Sequence, residues 1–150
     1  MKTVKQLMLI GMLIFCIACD EDKSVDPTIM PPATTTGENT FGCLIDGWIY
    51  TSGRWGAPEV TYGQNADKNY VLNISVEINL KSYLTLSIIN PKQGTTVAYT
   101  NVQFENQSLQ DGEANITQMN DSVISGTFSG KRITKGRFDL KYPGNNKVHD

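Results

Sequence analysis

The chain has 150 residues, enough for one ordinary domain, and carries a formal net charge of −2. Hydrophobic residues make up 39% and charged residues 19%, so Thr, Asn and Ser fill many polar positions, which suits strands better than surface helices. Without a basic excess there is no electrostatic footprint for nucleic acid, and no nucleic-acid partner is expected.

Residues 1–18 read as an export signal. Lys2 and Lys5 form a positive start, and residues 7–17 are an apolar run of eleven. A bilayer span needs roughly twenty. The run ends Cys16-Ile17-Ala18-Cys19, a small residue before a cysteine, which is similar to a bacterial lipobox with Cys19 as the acylated residue. Cys16 stands where a lipobox usually carries Leu, and the plainer reading is an ordinary secretory signal. Acyl chains on Cys19 would bury enough methylene groups for a stable membrane anchor. Loss of Lys2 and Lys5 with the signal would leave a net charge of −4.

Asp20-Glu21-Asp22-Lys23 follows directly. An acidic run behind the lipid cysteine is similar to the surface-export signal of Bacteroidota-type lipoproteins, so an outer-membrane, surface-exposed location is expected. In enterobacterial-type cells an Asp there favours inner-membrane retention instead. Residues 19–39, with Pro27, Pro31, Pro32 and Thr34-Thr35-Thr36-Gly37, are expected to be a semi-extended tether, because they lack an apolar period.

The domain is expected over residues 40–143. Phe41, Cys43 and Ile45 alternate, Asp46-Gly47 supplies a two-residue hairpin turn, and Trp48-Ile49-Tyr50 returns, placing Trp48 opposite Ile45 and Tyr50 opposite Cys43. Residues 51–59 form a Gly/Pro loop holding Trp55, and Val60-Thr61-Tyr62 is a short strand. Residues 70–80, YVLNISVEINL, alternate strictly, with Tyr70, Leu72, Ile74, Val76, Ile78 and Leu80 on one face. Leu84, Leu86 and Ile88 continue that pattern. A three-residue loop at Lys81-Ser82-Tyr83 would pair Leu80 with Leu84, Ile78 with Leu86 and Val76 with Ile88. Further on, Val97 to Phe104 suggests two short strands or one bent one, 106–112 a loop, and 113–119 and 122–129 two strands. The last strand, 136–142, turns Phe138, Leu140 and Tyr142 inward and Arg137, Asp139 and Lys141 to water. Residues 144–150 are expected to be a flexible tail. Eight to ten short strands imply an all-β antiparallel β-sandwich, or alternatively a small, partly open β-barrel.

Two stretches carry a family resemblance. Residues 30–47, MPPATTTGENTFGCLIDG, and residues 124–142, ISGTFSGKRITKGRFDLKY, resemble the opening and closing strands of an uncharacterised family of small Bacteroidota-type lipoproteins. The resemblance implies a periplasmic or surface β domain, with no activity or catalytic residue to carry over.

The chemistry-bearing residues are sparse. Cys43, once Cys16 and Cys19 are set aside, has no disulfide partner and lies on an apolar face, which makes it a small core residue. The only histidine, His149, is penultimate, so thiol or serine triads and zinc sites lack a base or ligand. Glu59, Asp67, Glu77, Glu105, Asp111, Glu113 and Asp121 leave a two-carboxylate hydrolase as a third reading. Asp111-Gly112-Glu113-Ala114-Asn115 offers oxygens at alternate positions but lacks the Gly and acid of a calcium loop. No enzyme activity, cofactor or metal is expected. Asp121-Ser122-Val123 is similar to the O-glycosylation triplet of Bacteroidota-type exported proteins, and Asn73, Asn106 and Asn115 head N-glycosylation patterns. Trp48, Tyr50, Trp55 and Tyr62 lie within fifteen residues. The bland reading makes Trp48 and Tyr50 core and Trp55 a loop plug; the other makes Trp55, Tyr62 and Trp48 a ligand-binding surface for a glycan or peptide. The expected function is a lipid-anchored, non-catalytic structural or accessory module, with carbohydrate or peptide binding as the alternative.

Overall fold

The computed structural model describes residues 28–53, 56–79 and 82–142. The signal, Cys19, Trp55 and the tail lie outside the described residues. Ten strands, and no helix, occur among them: β1 (Thr40–Ile45), β2 (Trp48–Thr51), β3 (Glu59–Gln64), β4 (Tyr70–Asn79), β5 (Ser82–Ile89), β6 (Thr96–Phe104), β7 (Gln107–Ser108), β8 (Gly112–Met119), β9 (Val123–Gly130) and β10 (Ile133–Lys141). They form one sheet in the order β2-β1-β10-β9-β8-β6-β5-β4-β3, with β7 pairing β6 off this path. Every neighbouring pair is antiparallel. The fold is all-β, a curled antiparallel sheet that makes a half-barrel, between the sandwich and the partly open barrel that the alternation implied.

The hairpin turns follow from their residues. Asp46 and Gly47 have φ of 51° and 87°, and Glu105 and Asn106 have 49° and 61°, the paired positive values of a primed two-residue turn. The first turn was legible as Asp-Gly. The second lacks glycine, and it replaces the loop expected at 106–112 with β7. Leu109 N–H donates to Val102 O (2.8 Å), joining β7 to β8 along β6. β6 is one bent strand, with Asn101 at φ 53° beside a register irregularity.

The central hairpin differs from the expected register. Leu84 pairs with Val76, Leu86 with Ile74 and Ile88 with Leu72, and a bulge between Glu77 and Asn79 leads into the turn. An even shift keeps every apolar side chain inward, so alternation determines the face without determining the register.

The inward faces meet in one core. Leu72, Ile74, Val76, Leu84, Leu86, Ile88, Ile116, Ile124 and Leu140 are all about 1% exposed or less. Burying each such side chain contributes about 2 kcal/mol. The curl shows in aromatic contacts between strands distant in the sheet order. Tyr50 on β2 meets Phe104 on β6 edge-on, with centroids 4.9 Å apart. Tyr62 on β3 meets Tyr142, just past β10, at 5.4 Å.

The tether expected over 19–39 does not run free up to Thr40. Pro31 and Gly37 are buried, and the segment from about residue 31 lies as a strap along β10. A Cβ built on Gly42 would stand 2.6 Å from Pro31 Cδ, so the strap touches β1 as well. Polar side chains in this segment find partners on the sheet, and a composition-based reading cannot see such partners.

Candidate functional site

Three regions carry the polar or aromatic chemistry: the strap over β10, the two edge strands, and the core around Cys43. In the strap region Asp139 is 1% exposed, which corrects its expected solvent-facing position. Asp139 Oδ1 accepts from Gly37 N–H (2.8 Å) and Ser125 O–H (2.6 Å). Its Oδ2 accepts from Thr34 O–H (2.6 Å) and from the N–H groups of Thr36 and Glu38 (3.1 Å each). Burial alone would raise the carboxyl pKa; the hydrogen bonds outweigh it and hold the group at about 2. Arg137 also donates to Pro31 O (2.9 Å), and Lys141 N–H donates to the Asn39 side chain (2.9 Å). This arrangement fastens a chain segment and leaves Asp139 no free lone pair for proton transfer. The strand pattern concealed this role; the signal for it was Ser125 directly across from Asp139 on β9.

The predicted aromatic cluster is divided between the two ends of the strand order. Trp48, on β2, is 74% exposed although it stands opposite Ile45, because β2 has no neighbour on its other side. Tyr50 packs on Phe104, so of the pair expected in the core only Tyr50 joins it. Tyr62, on β3, stacks against Tyr70 with centroids 5.5 Å apart and planes at 16°. Burial, then neighbouring Tyr70, pushes the Tyr62 hydroxyl pKa up. Tyr70 is 41% exposed, which gives the pair an open face.

Cys43 is wholly buried, and burial pushes its thiol pKa to about 12. Tyr99, also wholly buried, is raised to about 12, first by burial and then by Cys43 and Asp111. Its hydroxyl is the one buried side-chain polar atom without a hydrogen-bond partner among the described residues. Of the candidate acids, all but half-buried Glu77 are exposed. Among the described residues, no group of three or more His, Cys, Asp and Glu is placed to hold a metal ion. Ser122 is exposed in the turn between β8 and β9, where Asn120 Oδ1 accepts from its N–H (3.0 Å).

The fold and these sites define a class: a half-barrel β domain with a strapped N-terminal approach and aromatic residues on its unpaired edges. Comparison with family models, curated proteins and solved structures found no match.

Proposed function

We propose that this chain is a lipid-anchored envelope protein, fixed through Cys19 and exposed at the outer membrane, whose β domain binds or supports a partner without catalysing a reaction. The observation that carries the non-catalytic reading is that the two most strongly shifted polar groups outside tyrosine serve structure. Asp139 holds the strap, and Cys43 lies in the core with its thiol well above the range of a nucleophile. The signal architecture and the resemblance of residues 30–47 and 124–142 to small Bacteroidota-type lipoproteins support the anchored location.

The anchoring test is fractionation of cells expressing the full chain. The wild type is expected with the envelope, labelled by a palmitate analogue. Cys19→Ala is expected in the soluble fraction without label, and envelope retention by that variant would overturn the anchor. A second reading, glycan or peptide binding through aromatic side chains, is favoured by the open Tyr62–Tyr70 stack and by exposed Trp48. A hydrolase could draw on Glu59 and Glu77, diagonal neighbours on β3 and β4 roughly 7–8 Å apart. No release of reducing ends from polysaccharide is expected.

A further inference from the structure

The outer face of β3–β6 carries two transverse rows of polar side chains set by the strand register. The first row is Glu59, Ser75, Thr85 and Gln103, one residue from each strand. The second begins Thr61, Asn73 and Ser87. In the second row, Ser87 O–H donates to Asn73 Oδ1 (2.7 Å) and Asn73 Nδ2 donates to Thr61 Oγ1 (3.2 Å), so the central amide is oriented by its neighbours. Ser87 is 8% exposed, which limits its freedom to move out of that row. The first row has no such network. The side chains of Glu59, Ser75, Thr85 and Gln103 have no hydrogen-bond partner among the described residues.

The two rows line a groove of about 370 Å³, within the range of small-ligand sites. Three strand spacings of about 4.8 Å make the first row roughly 14 Å long. Of the groups lining the groove, only Glu59 is charged; no lysine or arginine is among them, so an anionic ligand would meet repulsion and no counter-ion. What the groove offers is three uncharged donor and acceptor side chains at regular spacing, Ser75, Thr85 and Gln103, with the Glu59 carboxylate at the β3 end. Tyr83 stands one position further along the same face of β5, roughly 7 Å from Thr85, and is 50% exposed. An exposed aromatic face beside a hydroxyl and amide row suits a ligand with alternating C–H faces and hydroxyl edges.

We infer that this groove binds a neutral polyhydroxylated chain, a glycan, along the row Glu59–Ser75–Thr85–Gln103, with Tyr83 stacking on it from the side, next to Thr85. The inference rests on the reading of the chain as an envelope-exposed binding module. It places the ligand on an outward row that starts at Glu59 on β3, and not on the aromatic side chains that the sequence suggested.

The test is affinity electrophoresis of the full chain in neutral detergent, through native gels containing dextran, galactomannan or xyloglucan, with polygalacturonate as the acidic control. Retardation of the wild type by at least one neutral polymer, and not by polygalacturonate, is the expected result. The double variant Ser75→Ala/Gln103→Ala and the single variant Tyr83→Ala should each weaken retardation by tenfold or more. Lys131→Ala and Thr134→Ala, exposed positions outside the groove, should leave it within twofold. All replaced side chains on the groove are at least partly exposed, and an unchanged thermal midpoint confirms each variant is folded. Absence of retardation by every neutral polymer overturns the inference. So does retardation that survives the groove variants and is lost with Trp48→Ala or Tyr62→Ala, which would move the ligand to the edge strands. Envelope retention of the wild type, and its loss in Cys19→Ala, is read separately, so a failed groove and a failed anchor are distinguishable.

Discussion

Asp139 is a buried carboxylate that the strap makes tolerable. Its pKa falls from an ordinary 3.8 to about 2, a depression, so its contribution to stability is complete above the unfolded value and is lost as pH falls through the folded one. At 1.36 kcal/mol per unit, about 2 kcal/mol should disappear between pH 4 and pH 2. Asp139→Asn should abolish that acid slope and, by turning an N–H₂ toward donors, cost about 3 kcal/mol at pH 7. Urea midpoints across this pH range check both; an unaltered acid slope in the variant would assign the acid sensitivity to another group. Tyr99 is the opposite case, a buried hydroxyl without a partner beside Gly112 and Gly130. Tyr99→Phe removes an unsatisfied group without changing the packed ring, and should stabilise by about 1 kcal/mol. A loss of stability instead would reveal an ordered water holding that hydroxyl.

At the scale of elements, the inner faces of β8, β9 and β10 include glycines because rings need the room. A Cβ on Gly126 would stand 2.5 Å from Asn115 O and 2.8 Å from the Phe138 ring. Backbone cannot yield as a flexible side chain can, so Gly126→Ala should destabilise by about 2 kcal/mol, measured as a lowered urea midpoint with unchanged slope. These elements were legible in part. Alternation in residues 70–79 and 136–142 announced strands and their inner faces, because period two is independent of what the strand pairs with. The Asp46-Gly47 turn was legible from two residues whose backbone preference is strong. Three features were not. The Leu84–Val76 register is one of several even shifts that satisfy the same pattern. The turn at Glu105-Asn106 lacks glycine. The strap depends on Asp139, about a hundred positions away, and residues 31–39 carry no apolar period that would betray packing. The groove was hidden likewise, since Ser75, Thr85 and Gln103 look like ordinary outward residues until register aligns them.

The whole molecule poses one topological question, which is why the sheet stops short of closure. The path from β2 to β3 crosses eight antiparallel pairings, an even number, so the two edge strands run in the same sense. Joining them directly would make a parallel pair, and parallel neighbours need a crossover of about a dozen residues or more. Only residues 52–58 connect β2 to β3, too few for such a crossover. The curl therefore brings Tyr62 against Tyr142 by side-chain packing while the backbone edges of β2 and β3 stay unpaired. The opening is a property of strand number and connection length, independent of which side chains line it. It should be visible in amide exchange, because opening free energies fall toward zero where backbone groups lack partners. On each edge strand alternate N–H groups point away from the neighbouring strand, so β2 and β3 should exchange first. β9 and β5, paired on both sides and lined by buried Ile124, Leu84 and Leu86, should exchange last, near the global unfolding limit. Hydrogen exchange followed by mass spectrometry of the purified chain measures this order. Protection of residues 59–64 equal to that of residues 123–130 would mean that the edge is paired, and the parity argument would fail.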